Sequence, residues 1–144
     1  MVTSHRHITS ADVATVEREV AAEVAAGARR WVFGGAIGVD TVALLAAWGP
    51  SQHCTVIVPG TVAQQPPDAR AAIEARADDV VELGAGNLRT AEAYHARDRM
   101  MCHRASRVLA FLDGRRESSG TRVTAEYARW QGRPVTVVGL QGRR

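Results

Sequence analysis

Short apolar runs alternate with helix-forming stretches from one end of this chain to the other, and that alternation leaves few folds open. The runs are Met1–Ser4, Trp31–Phe33, Thr55–Val58, Val80–Leu83, Val108–Leu112 and Val135–Val138. Between them lie predicted helices over Ser10–Ala26, from Val39 to just before Gly49-Pro50, Asp68–Arg76, Thr90–Arg104 and Gly120–Gln131, with a loop through Gln64-Gln65-Pro66-Pro67 ahead of the third. Val13, Val16, Val20 and Val24 repeat at helical spacing in the first helix, and Thr9 with Asp12 forms a capping-box start. Near-continuous apolar strands interleaved with helices predict an α/β three-layer sandwich, a mainly parallel sheet of about six strands with helices on both faces. In such sheets ligands sit outside the carboxyl ends of the strands. At 144 residues the chain is read as one domain, 1–144.

Composition narrows the chemistry. All 18 basic residues are arginine, which excludes a P-loop lysine and a Schiff-base lysine. Any phosphate must be held by arginine, hydroxyl or backbone. Residues 1–96 carry seven arginines against eleven acids, a balance of −4; residues 97–144 carry eleven against four, a balance of +7, giving the net +3. A basic C-terminal half suits an anionic ligand or a nucleic-acid backbone. No apolar stretch is long enough for a membrane span and the N-terminus lacks a signal-peptide layout, so a cytoplasmic protein with no membrane partner is expected. Cys54 and Cys102 read as reduced core thiols.

The residues that carry chemistry gather at predicted strand ends. Gly34-Gly35-Ala36-Ile37-Gly38-Val39-Asp40 follows the second strand, where the glycines let a ligand approach the backbone of Gly35 and Gly38. Its spacing departs from G-x-G-x-x-G, so no dinucleotide cofactor, and no other cofactor, is expected. Asp40 alternatively serves as a helix cap. Ser118-Ser119-Gly120-Thr121 opens the fifth helix with three hydroxyls and several free N–H groups; one serine suffices for a cap, so the run is read as a phosphate site. Arg97 and Arg99 on the fourth helix are read as a planar clamp on the same phosphate. As a phosphate ligand, Arg97 is expected to be replaceable by alanine with the melting temperature nearly unchanged. Arg6, flanked by His5 and His7, and Pro59-Gly60-Thr61 fall at the ends of the first and third strands. His95, Cys102 and His103 lack the spacing of a zinc site, so no metal is expected.

These motifs, in this order, resemble the Rossmann-like superfamily of the DNA-processing protein DprA (Smf) and the Lonely Guy (LOG) phosphoribohydrolases, over about Val2 to Val138. The DprA side is the closer. Its GGA-x-G-[IV]-D-T-A turn is matched by Gly34 to Thr41, its R-N-R segment by Arg97-Asp98-Arg99, and its S-G-S-x-x-T-A turn by Ser119 to Ala125. The chain departs at Asp98, which replaces an asparagine and adds a negative charge between the two arginines. On the LOG side, His95-Ala96-Arg97 is similar to the H-E-R segment that holds the catalytic arginine, but Thr124 stands where the LOG turn has its glutamate. Glu126 lies two residues later, about 200° around a helix.

Three readings follow. The leading one is a non-catalytic single-domain protein that holds a nucleotide or nucleotide-derived small molecule. The second is a LOG-like nucleoside-monophosphate N-glycosidase using Arg97 with Asp40 or Glu126. The third is a DprA-like binder of single-stranded nucleic acid. The resemblance also implies a homodimer, with Trp130 at a subunit contact.

Overall fold

Every described strand of this chain runs in the same direction. The computed structural model describes residues 1–3, 8–34, 38–84, 91–113 and 120–141. The strands are β1 (Val2–Thr3), β2 (Arg30–Phe33), β3 (His53–Val58), β4 (Asp79–Glu82), β5 (Val108–Asp113) and β6 (Val135–Leu140). The helices are α1 (Ser10–Ala25), α2 (Val39–Ala47), α3 (Pro67–Arg76), α4 (Ala91–Arg104) and α5 (Gly120–Trp130), with a short 3-10 helix at Val62–Gln64. The sheet order is β4-β3-β2-β1-β5-β6, parallel at each pairing.

The expected α/β layering and strand direction hold, but these are not six comparable strands. A three-strand block, β4-β3-β2, and a two-strand block, β5-β6, are joined through β1. Among the described residues that strand has two residues and meets β2 at Val2↔Phe33. The topology reverses at β1, because α1 leads away to β2 on one side while β5 pairs on the other. Such a reversal opens a crevice at the carboxyl ends of the strands.

Alternation along the strands sorts side chains onto two faces. Trp31, Phe33, Val56, Val58, Leu109 and Phe111 face α1, α2 and α3, and pack on Val16, Val20, Leu44 and Ile73. Val108, Ala110 and Ile57 face α4 and α5, and meet Met101, Cys102, Ala125 and Ala128. Helix α1 starts with the expected capping box: the Asp12 N–H donates to Thr9 Oγ (3.2 Å), and the Thr9 N–H to Asp12 Oδ2 (3.3 Å). The other oxygen of the buried Asp12 accepts from the Gln141 N–H (2.8 Å). One carboxylate thus joins the start of α1 to the end of β6. The 3-10 helix, read from sequence as loop, has its own capping box between Thr61 and Gln64.

Candidate functional site

At the carboxyl end of β2, a glycine sits where a larger residue would press on its neighbours. A Cβ on Gly34 would stand 3.1 Å from Arg97 Cζ, 3.1 Å from Arg97 Nε and 3.1 Å from Asp40 Oδ2. Arg97 on α4 and Asp40 in the first turn of α2 therefore flank this residue from two helices. The guanidinium is held there by three contacts. Nη1 donates to the Gly34 carbonyl (3.2 Å), Nε pairs with Asp98 Oδ1 (3.0 Å), and Cζ lies 5.2 Å from the centre of the Tyr94 ring. The Arg97 side chain is 13% exposed and that of Asp98 12%.

The network continues into α5. Thr124 Oγ lies 2.8 Å from Asp98 Oδ2 and 2.8 Å from the Gly120 carbonyl. Thr121 and Thr124 stand on the buried stripe of α5 with Ala125 and Ala128. A line of hydrogen bonds thus runs from the end of β2, through Arg97 and Asp98, to the first turn of α5.

Several expectations are revised by this geometry. Arg97 and Arg99 do not form a paired clamp: two residues on a helix are about 200° apart, so Arg97 turns inward while Arg99 is exposed. Nor is Arg97 free to be removed without cost to stability, since it bonds the Gly34 carbonyl and a buried carboxylate. Asp98 places its charge inside, against Arg97 Nε and Thr124 Oγ. Glu126 is exposed, on the opposite side of α5 from buried Thr124, so it does not join Arg97.

Of the other expected site residues, Gly38 caps α2 with φ +83°, a conformation natural to glycine. Asp40 is buried beside Gly34. Pro59 and Gly60 are buried beyond β3. The Gly60 carbonyl accepts from the Gly84 N–H (3.3 Å), and the Thr61 N–H donates to Gln64 Oε1 (3.0 Å). This segment is tied to the end of β4 and to its own 3-10 helix. Gly120 opens α5, and Thr121 is buried behind it. Arg6, Gly35, Ser118 and Ser119 lie outside the described residues.

Asp98 and Thr124 carry the network, yet the sequence motifs mark neither as a site residue in its own right. The available signal was a polar residue on an otherwise apolar helical stripe, at 98 beside Met101, Cys102 and Ala105, and at 124 beside Ala125 and Ala128. Cys102 is buried in the core below α4, whereas His95 and His103 are exposed, so these three do not converge. Among the described residues no cluster of three or more potential metal ligands forms, and no helix is long and apolar enough to cross a membrane.

The helices also differ in charge. Helices α1–α3 carry seven carboxylates against three arginines; α4 and α5 carry three against five. The two layers therefore have balances of −4 and +2.

Comparison with known proteins places this architecture. The structure of DNA processing protein A from Helicobacter pylori, described for its single-stranded DNA binding mode, is similar with a TM-score of 0.74 and 20% identity, over 94% of this chain and 62% of that one. The X-ray structure of DNA processing protein A (DprA) from Streptococcus pneumoniae is similar with a TM-score of 0.75 and 23% identity, over 94% of this chain and 49% of that one. The chain thus spans between about half and three-fifths of the length of these proteins. No curated protein matches it. The sequence pattern of DNA recombination-mediator protein A matches residues 2–143, and the chain therefore belongs to the DNA recombination-mediator protein A (DprA) family.

Proposed function

We propose that this chain binds single-stranded DNA, its phosphate backbone crossing the carboxyl edge of the sheet at the start of α5 and continuing over the basic α4–α5 layer. The observation that carries this reading is the family match over residues 2–143, beside a Helicobacter pylori relative described as binding single-stranded DNA. The charge balance supports it, because backbone recognition needs arginine on the contacting layer. Residues 1–144 act as one binding unit. Gly34, Gly35, Gly38, Gly120 and Thr121 supply backbone donors, Arg6, Arg97 and Arg99 supply charge, and Ser118 and Ser119 supply hydroxyls. Two copies meet through α5, where Trp130 is 79% exposed.

Fluorescence anisotropy with a labelled oligothymidylate tests the reading. Affinity is expected to fall with salt, with a log–log slope of about −0.7 for each phosphate neutralised. A salt-independent affinity, or none, would remove it. A bound mononucleotide is the second reading, favoured by the tight grouping of Gly34, Asp40 and Arg97. Displacement of the oligonucleotide by an equal concentration of a nucleoside monophosphate would promote it. Free base released from that monophosphate, and lost in Asp40→Ala or Glu126→Ala, would promote the hydrolase.

A further inference from the structure

We infer that Asp98 is an internal counter-ion that limits how strongly Arg97 takes a phosphate; for DNA, this rests on the single-stranded reading above. The Arg97 Nε edge is already occupied by Asp98 Oδ1 at 3.0 Å, and Nη1 by the Gly34 carbonyl at 3.2 Å. Nη2 has no partner among the described residues, so that corner of the fork is left for an incoming anion. A phosphate arriving there meets a guanidinium whose charge is already offset by the carboxylate at its Nε. Both side chains are largely shielded from water, so little screening separates the two anions.

The hydrogen-bond count shows what the carboxylate adds. Thr124 Oγ stands 2.8 Å from Asp98 Oδ2 and 2.8 Å from the Gly120 carbonyl, but a hydroxyl has one hydrogen and both neighbours are acceptors. An amide at position 98 removes the shortage. Its NH2 donates to Thr124 Oγ, the hydroxyl donates to the Gly120 carbonyl, and the amide oxygen still accepts from Arg97 Nε. Asparagine keeps the shape and satisfies each group in the line. The distinctive contribution of aspartate is its negative charge beside Arg97.

Asp98→Asn is therefore expected to bind oligothymidylate about 3- to 10-fold tighter than wild type, as removal of a like charge beside the contact requires. The salt slope should steepen, by up to about 0.7 for one further phosphate. In the Arg97→Ala background the same change should gain nothing, which ties the effect to that arginine. A second readout needs no DNA: the Arg97 Nε–H signal in 15N NMR, titrated with inorganic pyrophosphate, should move at lower concentration in Asp98→Asn. If wild type binds the oligonucleotide and Asp98→Asn binds no tighter, the counter-ion role is wrong. If wild type binds no oligonucleotide, the DNA reading falls and pyrophosphate alone decides, equal midpoints overturning the inference. Asp98→Ser, which removes the same charge with less bulk, should also tighten binding. Failure of both variants to fold would refute the hydrogen-bond count and the inference with it.

Discussion

The two helical layers that cover the sheet are built from different materials. Between α1–α3 and the sheet lie large apolar side chains, among them Trp31, Phe33, Leu44, Ile73 and Phe111. Beneath α4 and α5 the buried residues are mostly small or sulfur-bearing: Met1, Met101, Cys102, Ala105, Ala110, Ala125 and Ala128. Asp98, Thr121 and Thr124 are buried on the same side. The first layer is acidic and the second basic. Burial of large side chains stabilises in proportion to apolar area, so the α1–α3 side contributes most of the hydrophobic stability. The α4–α5 side holds polar groups in place near the crevice. Stability and affinity should then respond to different mutations.

The largest effect belongs to the bulky layer. Trp31 stacks on Phe33 with ring centroids 5.9 Å apart, and its indole N–H donates to Gln52 (2.8 Å). Trp31→Ala should cost about 3–5 kcal/mol in urea unfolding. The fraction that remains folded should bind oligothymidylate as wild type does. A matching loss of affinity would break the separation between the layers.

Arg97→Ala comes next and touches both properties. It removes a hydrogen bond to the Gly34 carbonyl and leaves the largely buried Asp98 carboxylate without its cation. The expected loss is about 2 kcal/mol of stability, together with at least about tenfold in oligonucleotide affinity. An unchanged melting temperature would return Arg97 to a phosphate ligand replaceable without cost to stability.

Smaller still are reversals on exposed positions. Arg99→Glu or Arg129→Glu on the basic layer should weaken the oligonucleotide severalfold, and Glu17→Arg on α1 should leave it unchanged. None should move stability by more than about 0.5 kcal/mol. Equal losses from both layers in binding titrations would show that net charge, rather than the α4–α5 surface, attracts the DNA.

How much of this was written in the order of residues varies by level. Strand and helix alternation was legible because apolar periodicity reports burial directly, and Thr9 with Asp12 marked the start of α1. Strand ends were less so. His53 and Asp79 lengthen β3 and β4 at their starts, although both are polar, because they pair with each other at the sheet edge (2.7 Å). The site was legible as positions and not as partnerships. Gly34 and Arg97 are 63 residues apart, and Asp98 and Thr124 are 26 apart. Pairings over such distances come from how α4 and α5 pack on the sheet, which local spacing does not encode. The inward turn of Arg97 follows from the same packing, which brings that flank of α4 against Gly34 and Asp40.

The smallest effect uses the two thiols, one in each layer. Cys54 packs in the α1–α3 core and Cys102 in the α4–α5 core. Both thiols are pushed up from 9.0 to about 11, chiefly by burial, with the Asp78 carboxylate adding at Cys54 and Asp98 at Cys102. A raised value means the folded chain holds these protons more tightly than the unfolded chain does. Their contribution to stability is thus intact below pH 9 and is lost as pH rises through about 11. At pH 8 both thiols are protonated and enclosed, so alkylation must wait for the structure to open. The single-cysteine variants Cys54→Ala and Cys102→Ala then report opening on opposite sides of the sheet. The variant that keeps Cys102 should react faster, because fewer large side chains hold α4 and α5 down. Equal rates would mean that both layers open in one cooperative step, and the contrast between them would reduce to charge alone.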